Sequence, residues 1–385
     1  MKIIGLKSIV IVAALVGVIG CQNAQKADSS NSEEAKVTLR STFQDDFLIG
    51  TALSAGQIMG NNELESELIA REFNCVTPEN VMKFMLIHPQ PDSFNFELPD
   101  KLVALAEKND QEVIGHTLAW HSQVPNWLFE DENGELVDSL TLYSRMKEHI
   151  DMVVGRYKGR IKGWDVLNEA LNEDGSFRNS KFYQISGTGY IYKAFEYANA
   201  ADPEMELYYN DYNMHNQAKV DGAVRIAKML QDRGIRIDGI GMQGHWSLNY
   251  PSQEQLESSI KKISDLGLQV MITELDIDVL PNPYNITGAN ISDNFKASKE
   301  ANPYVDGLPD SVNQLHANKY ESLFKIFYKY KDNIDRVTFW GVHDGHSWKN
   351  NWPARGRTNY CLIFDRQYQP KLAYEKIIAI GEEKE

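Results

Sequence analysis

Eight short apolar runs, separated by stretches with helical periodicity, constrain the fold of this 385-residue chain more than any other feature. The runs are FLIGTAL (47–53), FNCVT (73–77), EVIGHTLAW (112–120), IKGWDVLNE (161–169), ELYYND (206–211), IDGIGMQGH (237–245), LQVMITELD (268–276) and VTFWGVHD (337–344). Their near-continuous apolar character predicts strands that are buried on both faces. Such strands are typical of parallel sheets covered by helices.

The segments between the runs carry apolar residues at three- and four-residue spacing, which predicts amphipathic helices. The clearest are DKLVALAEKND, YIYKAFEYANAA, VDGAVRIAKMLQDRG, LESSIKKISDLG and YESLFKIFYKYKD. Eight strand–helix units in a chain of this length favour a closed (β/α)8 TIM barrel over an open doubly wound sheet. No G-x-G-x-x-G motif opens a helix after the first run, which weakens the dinucleotide-binding alternative. We place this single domain at residues 41–385.

The N-terminus predicts export. Lys2 and Lys7 precede an apolar run that is too short for a stable membrane span, so residues 1–20 are interpreted as a signal peptide. The sequence VIGC resembles a bacterial lipobox, which implies cleavage before Cys21 and lipidation of its thiol; the alternative is an ordinary signal peptide with an incidental cysteine. The polar residues 21–40 predict a flexible tether. We therefore expect an exported protein, lipid-anchored at the cell envelope through Cys21 alone, on the periplasmic or the outer side.

The net charge narrows the class of binding partner. At −15 it argues against a nucleic-acid partner and permits a neutral or weakly charged substrate.

The exported part of the chain contains Cys75 and Cys361 beyond the predicted anchor. Both lie in apolar surroundings, which predicts two buried thiols, with a disulfide between them as the alternative.

Polar and aromatic side chains collect where the predicted strands end. In a TIM barrel these carboxyl ends meet at one mouth, so the side chains should line a shared pocket. They include Glu79, Asn80, Lys83, His116, Trp120, Gln123, Asn168, Glu169, Asn210, Asp211, Tyr212, Gln243, His245, Glu274, Asp276, Trp340 and Trp348. Amides, a lysine and carboxylates bond hydroxyl groups, and flat indoles suit sugar rings.

Glu169 and Glu274 are the candidate catalytic pair. Taken alone, Glu169 after an apolar strand is typical of a solvated strand end, but Glu274 on another strand gives it a partner across the mouth. One glutamate could protonate a leaving oxygen while the other, ionised, attacks an anomeric carbon. His116 and His121 are an odd number of residues apart along a strand, which sends them to opposite faces, so we predict no metal site.

An ordered series of motifs resembles glycoside hydrolase family 10, the endo-β-1,4-xylanases. The motifs are FNCVTPENVMK, GHTLAWHSQVPNW, WDVLNEAL, YYNDYN, GMQGHW, ITELDI and FWGVHDGHSW, and they extend from about residue 45 to near the C-terminus. The resemblance implies a (β/α)8 barrel that hydrolyses internal β-1,4 linkages of xylan with retention. It also implies double displacement through a glycosyl-enzyme intermediate, without a cofactor.

Position by position, the resemblance implies roles for the site residues. Glu169 matches the acid/base and Glu274 the nucleophile, while Asn168 matches the residue that bonds the sugar 2-hydroxyl. His245 and Asp276 match a pair that supports the nucleophile. Tyr212 matches an aromatic residue near the aglycone side, and the glycone-side binding residues are matched by Glu79, Asn80, Lys83, His116, Trp120, Gln123, Gln243, Trp340 and Trp348.

Two departures from the family pattern are visible. The connection at 281–319 is longer than the family usually carries, and no second domain resembling a carbohydrate-binding module accompanies the barrel. We therefore expect a monomer whose barrel holds xylan or xylo-oligosaccharides unaided.

Two other functions stay open at this point. A related barrel hydrolase could act on another β-linked glycan, such as cellulose or mixed-linkage glucan. A surface glycan-binding lipoprotein could be built on an inactive enzyme scaffold, but such a protein is expected to lose a catalytic carboxylate. Both Glu169 and Glu274 are present, which argues against that reading.

Overall fold

A computed structural model of the chain describes residues 37–284 and 295–382, and its centre is a closed barrel of eight parallel strands. The first to eighth strands are Leu48–Leu53, Cys75–Pro78, Glu112–Trp120, Gly163–Asn168, Glu206–Asp211, Gly239–Met242, Gln269–Asp278 and Ile334–Phe339. The first strand pairs with both the second and the eighth, and the eighth pairs with the seventh, which closes the ring. The predicted TIM barrel is confirmed.

Helices follow the strands and surround the ring. The α-helices are Leu39–Thr42, Ala55–Ile58, Glu63–Glu72, Phe84–Ile87, Glu97–Lys108, Ser139–Arg156, Lys181–Ser186, Gly189–Ala201, Gln217–Gln231, Gln253–Ser264, Asp310–Lys329 and Leu372–Glu382. Short 3₁₀ helices are formed by Asn126–Leu128, Asp344–His346 and Trp348–Asn350. Together they cover the outer face of the sheet, as the near-continuous apolar strands require.

Side-chain caps fix where several of these helices begin. Asp138, Ser180, Asn216 and Ser252 each accept a hydrogen bond from a backbone N–H of the first turn. These N–H groups have no partner within the helix, so a capping oxygen stabilises each start.

Two apolar layers hold the barrel. The larger lies between strands and helices, where Trp164, Leu207 and Phe339 are fully buried. The smaller consists of Cys75, Ile114, Tyr208 and Met271 from four different strands, with half-buried Leu48 packed against it. This second group fills the ring as layered side chains do in TIM barrels.

The sixth predicted run is divided in the structure. The barrel strand ends at Met242, and His245–Ser247 forms a separate short strand that pairs with the seventh strand, His245 opposite Asp276. Gly244 between them has a φ of 84°, a conformation that favours glycine. This turn brings His245 beside the seventh strand.

The N-terminal boundary of the packed domain lies earlier than predicted. Leu39, assigned to the tether, is fully buried, and its backbone N–H donates to Glu72. Arg40 donates to the backbone oxygens of Ala70 and Asn109. The end of the predicted tether is therefore part of the barrel's packing, while the predicted signal peptide and Cys21 lie outside the described residues.

The long connection after the seventh strand is shorter than predicted. Its following helix begins at Asp310, so the predicted extent of 281–319 was wrong at its C-terminal end. Residues 285–294 of the connection lie outside the described residues. Phe295–Lys296 forms a short parallel ladder with Ala354–Arg355, which joins the connection to the loop after the eighth strand.

Cys75 and Cys361 are free and buried, as the first of the two interpretations predicted. Burial raises the pKa of the Cys75 thiol to about 12. The Cys361 sulfur lies 3.0 Å from the Ser347 hydroxyl oxygen. Over residues 37–284 and 295–382, no helix is both long enough and apolar enough to cross a membrane.

Candidate active site

A cavity of about 1370 Å³ opens at the carboxyl ends of the barrel strands. With one exception, every residue assigned a catalytic, supporting or sugar-binding role from the sequence lines it. The exception is Asp276, which is fully buried behind His245. The structure thus brings the predicted set together, and the individual roles stay predictions.

Glu169 and Glu274 lie in this one cavity and are joined by a chain of side-chain amides. Gln243 Nε2 donates to Glu169 Oε1 at 3.0 Å and approaches Asn168 Oδ1 at 3.4 Å. Asn210 Nδ2 lies 3.1 Å from the same Asn168 oxygen and donates to Glu274 Oε1 at 2.9 Å. These amides fix the two carboxyl groups relative to each other.

The backbone at Glu169 explains how two consecutive residues reach the cavity. Side chains alternate between faces along a strand, so Asn168 and Glu169 could not both line it if the strand continued. Glu169 instead adopts a left-handed φ of 55° directly after the fourth strand. Such a conformation costs a non-glycine residue about 1–3 kcal/mol, and this turn directs its carboxyl group into the cavity.

Glu169 is only 4% exposed, and both of its carboxyl oxygens have neutral donors. Trp120 Nε1 donates to Oε2 at 2.8 Å, and the Gln243 amide donates to Oε1. The indole of Trp120, predicted only as a sugar platform, therefore also orients Glu169.

Glu274 has a different environment, because one of its donors is cationic. His245 Nε2 lies 3.1 Å from Glu274 Oε2, and His245 Nδ1 lies 3.0 Å from Asp276 Oδ2. Burial acts to lower the pKa of His245, but Asp276 and Glu274 outweigh it and raise the pKa to about 9. A protonated His245 donates from both nitrogens and stabilises the negative charge on Glu274.

Asp276 is held ionised beneath this pair. Burial acts to raise its pKa, but His245 and Lys349, together with the bonded indole of Trp348, lower it overall. Trp348 Nε1 donates to Asp276 Oδ2 at 2.8 Å, and the Lys349 ammonium is 3.8 Å from Oδ1.

Asn168 is oriented by its neighbours. Its side-chain oxygen faces the donors of Asn210 and Gln243, and the residue is 2% exposed. This leaves its NH₂ group to donate to an oxygen in the cavity, as the predicted bond to a sugar hydroxyl requires.

The residues after the second and third strands form a polar wall. Lys83 Nζ donates to Asn80 Oδ1 at 3.0 Å and lies 5.0 Å from the ring centre of Trp120. Burial lowers the pKa of Lys83, while Glu274 and Glu79 act to raise it. Burial also raises the pKa of Glu79, against the opposing effect of Lys83.

Two neighbours fix the ring of His116. Its Nδ1 lies 2.8 Å from Asp165 Oδ2, and its ring meets the Trp340 indole edge-on at 5.4 Å between centroids. His116 is therefore hydrogen-bonded in the cavity wall, and His121 lines a separate small cavity. Asp165 thus has a structural role, since it orients the His116 ring.

The strand order divides the barrel mouth into two halves. Strands follow one another around the ring from first to eighth, with Glu169 after the fourth and Glu274 in the seventh. A line between these glutamates leaves the fifth and sixth strands on one side and the eighth, first, second and third on the other. The predicted glycone-side residues lie in the third strand or after the second, third and eighth strands, except Gln243 after the sixth, and Tyr212 follows the fifth.

Gln243 directly follows the sixth strand, in the half that contains Tyr212, and it bonds Glu169. It therefore lies beside the catalytic pair, and its glycone-side role stays a prediction.

A buried ion cluster supports Tyr212 from below, and sequence reasoning missed it. The Lys219 ammonium is 2.9 Å from Asp211 Oδ1, 3.3 Å from Glu173 Oε1 and 3.2 Å from the ring centre of Tyr212. Arg178 donates to the Tyr212 hydroxyl oxygen at 2.9 Å and to the Glu169 backbone oxygen at 3.1 Å. Two cations thus fix the aromatic ring next to Glu169.

Asn210 and Asp211 were also predicted to line the pocket, but both are fully buried and do not line it. Asn210 instead joins the amide chain, and Asp211 pairs with Lys219. Some residues that do line the cavity had no predicted role. Residues that line the cavity in loops include Glu173, Asn213, His215, Asn216, Tyr250 and Trp352. Loop residues carry no periodic signal, so nothing in the sequence pattern singled them out.

One group of possible metal ligands occurs among residues 37–284 and 295–382. Glu65 Oε1 lies 3.1 Å from His343 Nε2 and 3.2 Å from His346 Nδ1. His343 Nδ1 accepts a hydrogen bond from the Gly345 N–H, which leaves the proton of the neutral ring on Nε2. A metal at Nε2 would need that position deprotonated, so the contacts of His343 and His346 are those of hydrogen-bonding residues.

Comparison with known proteins agrees with this geometry. The family model for glycosyl hydrolase family 10 matches residues 38–380. An endo-1,4-beta-xylanase A from Xylanibacter ruminicola is 47% identical over 345 residues, covering 90% of this chain and 94% of the relative. A beta-1,4-xylanase from Dictyoglomus thermophilum is 39% identical over 352 residues, covering 90% and 93%.

Solved structures give the same result. A GH10 endoxylanase from a sugarcane soil metagenome superposes with a TM-score of 0.86 at 42% identity, covering 89% of this chain and 99% of that one. A xylanase from Paenibacillus barcinonensis, complexed with a conduramine derivative, gives a TM-score of 0.80 at 36% identity and covers 90% and 99%. The chain belongs to glycosyl hydrolase family 10.

Proposed function

We propose that the protein is an endo-1,4-β-xylanase, which hydrolyses internal β-1,4 linkages of xylan with retention of the anomeric configuration. The observation that carries this proposal is the placement of Glu169 and Glu274 in one cavity, joined by hydrogen-bonded amides. The family membership and the named xylanase relatives support xylan or xylo-oligosaccharides as substrates.

The hydrogen bonds divide the roles between the two carboxyl groups. Glu274 accepts from an amide and from the cationic His245, whereas Glu169 accepts from an amide and a neutral indole. Negative charge is better stabilised at Glu274, which makes it the nucleophile and leaves the transferable proton on Glu169.

In the first step, a Glu274 oxygen forms a bond to the anomeric carbon while the glycosidic C–O bond breaks. Glu169 gives its proton to the leaving oxygen, and the leaving half of the chain departs with a new hydroxyl group. In the second step, Glu169 takes a proton from water, whose oxygen attacks the anomeric carbon and displaces Glu274. Two inversions give net retention.

The cation near Glu274 also serves the second step. When water displaces the glycosyl group, Glu274 leaves as a carboxylate, and the His245 imidazolium stabilises the charge that returns to it. Asp276 keeps this imidazole protonated and oriented.

We propose further that the enzyme acts as a monomer anchored at the cell envelope by a lipid on Cys21. The motif VIGC and the polar residues after it support an anchor and a tether. Labelling cells with an alkyne fatty acid should tag the wild-type protein and not Cys21→Ser, and light scattering should give the mass of one chain.

The decisive experiment uses the purified barrel domain on xylan. Glu274→Ala should lose sugar release by several orders of magnitude, while circular dichroism shows an intact fold. Undiminished sugar release would refute the assignment of the nucleophile. Comparing initial rates on xylan, cellulose and mixed-linkage glucan tests the rival glycan substrates, and xylan should be strongly preferred.

A further inference from the structure

We infer that Lys349 is a further positioning residue for the reaction: its buried ammonium group balances the charge of Asp276 and so allows Glu274 to attack as a carboxylate at lower pH. The inference rests on the proposed function, because it concerns the nucleophile of that reaction.

Three carboxyl groups occur at alternate positions at the end of the seventh strand. Glu274, Asp276 and Asp278 are spaced two residues apart in the strand Gln269–Asp278. Side chains with this spacing lie on the same face of a strand. Neighbouring carboxylates on one largely buried face disfavour each other's ionisation unless cations lie between them.

The cations come from outside the strand. His245 lies between the first two carboxyl groups, 3.1 Å from one and 3.0 Å from the other. The Lys349 ammonium is 3.8 Å from Oδ1 of Asp276. The Arg357 guanidinium donates to the two oxygens of Asp278 at 3.3 and 3.4 Å. Each carboxyl group of the series thus has a cationic neighbour.

Lys349 is buried, which is unusual for a lysine without a paired charge. It is 5% exposed, in the short 3₁₀ helix Trp348–Asn350 of the loop after the eighth strand. Burial acts to lower its pKa, but Asp276 and Asp278 outweigh that effect and raise it. The ammonium group therefore keeps its charge inside the site.

The other titratable groups that act on this ammonium are neutral. They are the Tyr250 hydroxyl and the Cys361 thiol, and burial raises the pKa of both. Within the part of the chain that the structure describes, Oδ1 of Asp276 has no hydrogen-bond partner. The charge of Lys349 is therefore directed at an oxygen that no hydrogen bond stabilises.

Two indoles keep the ammonium group in this position. It lies 4.7 Å from the ring centre of Trp348 and 5.1 Å from that of Trp352, and the two rings stack at 4.9 Å between centroids. Such contacts attract a cation to the ring faces. Trp348 also donates to Oδ2 of Asp276, so the ammonium and the indole hold the two oxygens of one carboxyl group.

The sum of the charges explains the effect on the nucleophile. With Glu274 and Asp276 ionised and His245 protonated, the three groups carry one net negative charge, which Lys349 neutralises. Without Lys349 that buried excess charge favours proton uptake by the carboxyl groups. Lys83 and Glu79 also act on Glu274, in opposite directions, and neither is changed by a substitution at Lys349.

The test is the pH profile of kcat/KM on a nitrophenyl xylobioside. Lys349→Met removes the charge and keeps the length of the side chain. We expect the acid limb of the profile to move to higher pH by about 0.5–1 pH unit, because loss of a cation makes the carboxyl groups take up protons more readily. Circular dichroism at each pH ensures that only folded protein is compared.

Two further variants separate charge from packing. Lys349→Arg keeps the charge and should keep the wild-type acid limb. Lys371→Met is the matched control, because Lys371 is a buried lysine paired with Asp344 at 2.9 Å but does not line the cavity. It should lower the free energy of unfolding and leave the acid limb in place.

An unmoved acid limb in Lys349→Met, with kcat/KM lowered equally at every pH, would overturn the inference, because Lys349 would then act only through packing or binding. An equal movement of the limb in Lys349→Arg or in Lys371→Met would overturn it as well. A wild-type protein that releases no sugar from xylan would instead contradict the proposed function, which separates the two failures.

Discussion

His245 lies between the carboxyl groups of Glu274 and Asp276, with Nε2 3.1 Å from the first and Nδ1 3.0 Å from the second. The three residues come from the seventh strand and from the short strand paired with it. Because the pKa of the imidazole is about 9, a positive charge lies between the two carboxyl groups at neutral pH. The stabilisation of negative charge on Glu274, the proposed nucleophile, thus depends on Asp276, which does not line the cavity.

Replacing Asp276 with asparagine tests this dependence. Asp276→Asn removes the negative neighbour that most raises the pKa of His245, so the imidazole should lose its proton at lower pH. We expect kcat on xylan to fall by about 10–100-fold at neutral pH, with the alkaline limb of the pH profile moved to lower pH. A profile of unchanged shape would contradict the proposal that Asp276 keeps His245 protonated.

The hydrogen-bonded pair of His245 and Asp276 should also make the free energy of unfolding depend on pH. The folded-state pKa of His245 lies above its ordinary value of 6.5, so its contribution is fully present below about pH 6.5 and is lost as pH rises through about 9. The difference in the free energy of unfolding between wild type and His245→Asn should shrink by about 3 kcal/mol between about pH 6 and about pH 10. Urea unfolding at both pH values measures it, and a constant difference would contradict the prediction.

The indole of Trp120 should matter for proton transfer. Trp120→Phe keeps an aromatic ring but removes the donor to Glu169, and we expect kcat/KM on xylan to fall by about 10–100-fold. A dinitrophenyl xylobioside, whose leaving group needs no proton, should be affected much less. Trp127→Phe is the matched control, because its indole donates to the Pro89 backbone oxygen outside the cavity. Equal losses on both substrates would show that Trp120 acts only through binding.

The sequence predicted the fold because each barrel strand is buried on both faces and reads as a continuous apolar run. The eighth strand shows the limit of that signal. It begins at Ile334, three residues before the predicted run, because Asp335 and Arg336 look like loop residues. Arg336 is in fact 1% exposed and stacks on Tyr208 at 4.5 Å, a contact between strands that lie far apart in sequence.

The helix after the long connection was misplaced for a related reason. Its first turns, DSVNQLHANK, are polar and were assigned to a loop, yet the helix begins at Asp310. The apolar side of these turns is limited to a few residues, such as Ala317, so periodicity gave no clear start. Pro309 before it fixes a backbone suited to that start.

At the site, the motifs predicted which residues meet but not how they hold one another. Lys219 lies in the first turn of an amphipathic helix, where a lysine normally reaches solvent. Its burial depends on Asp211 at the end of the fifth strand and on Glu173 in the loop after the fourth. Only the folded barrel brings these partners together.

Lys219→Met should therefore destabilise the fold. It leaves Asp211 buried without its cation, and we expect the free energy of unfolding at about pH 7.5 to fall by about 3–5 kcal/mol. Burial raises the pKa of Asp211 to about 6, although Lys219 acts to lower it, so at about pH 5 Asp211 can take a proton and the loss should be smaller. Urea unfolding of the wild type and the variant at the two pH values measures the loss of stability at each.

Lys261→Met is the control for that variant. Lys261 pairs with Asp265 on an exposed helix surface, and such pairs contribute about 1 kcal/mol or less. A Lys219→Met variant no less stable than this control would contradict the account of the buried cluster.

The assignment of Glu274 as nucleophile can be read out directly by trapping the intermediate. A dinitrophenyl xylobioside with fluorine at the second carbon forms the glycosyl-enzyme and slows its hydrolysis, so the labelled peptide can be identified by mass spectrometry. We predict one label per chain, located on Glu274, and none in Glu274→Ala. A label on Glu169, or full turnover with an inverted first-formed product, would contradict the account.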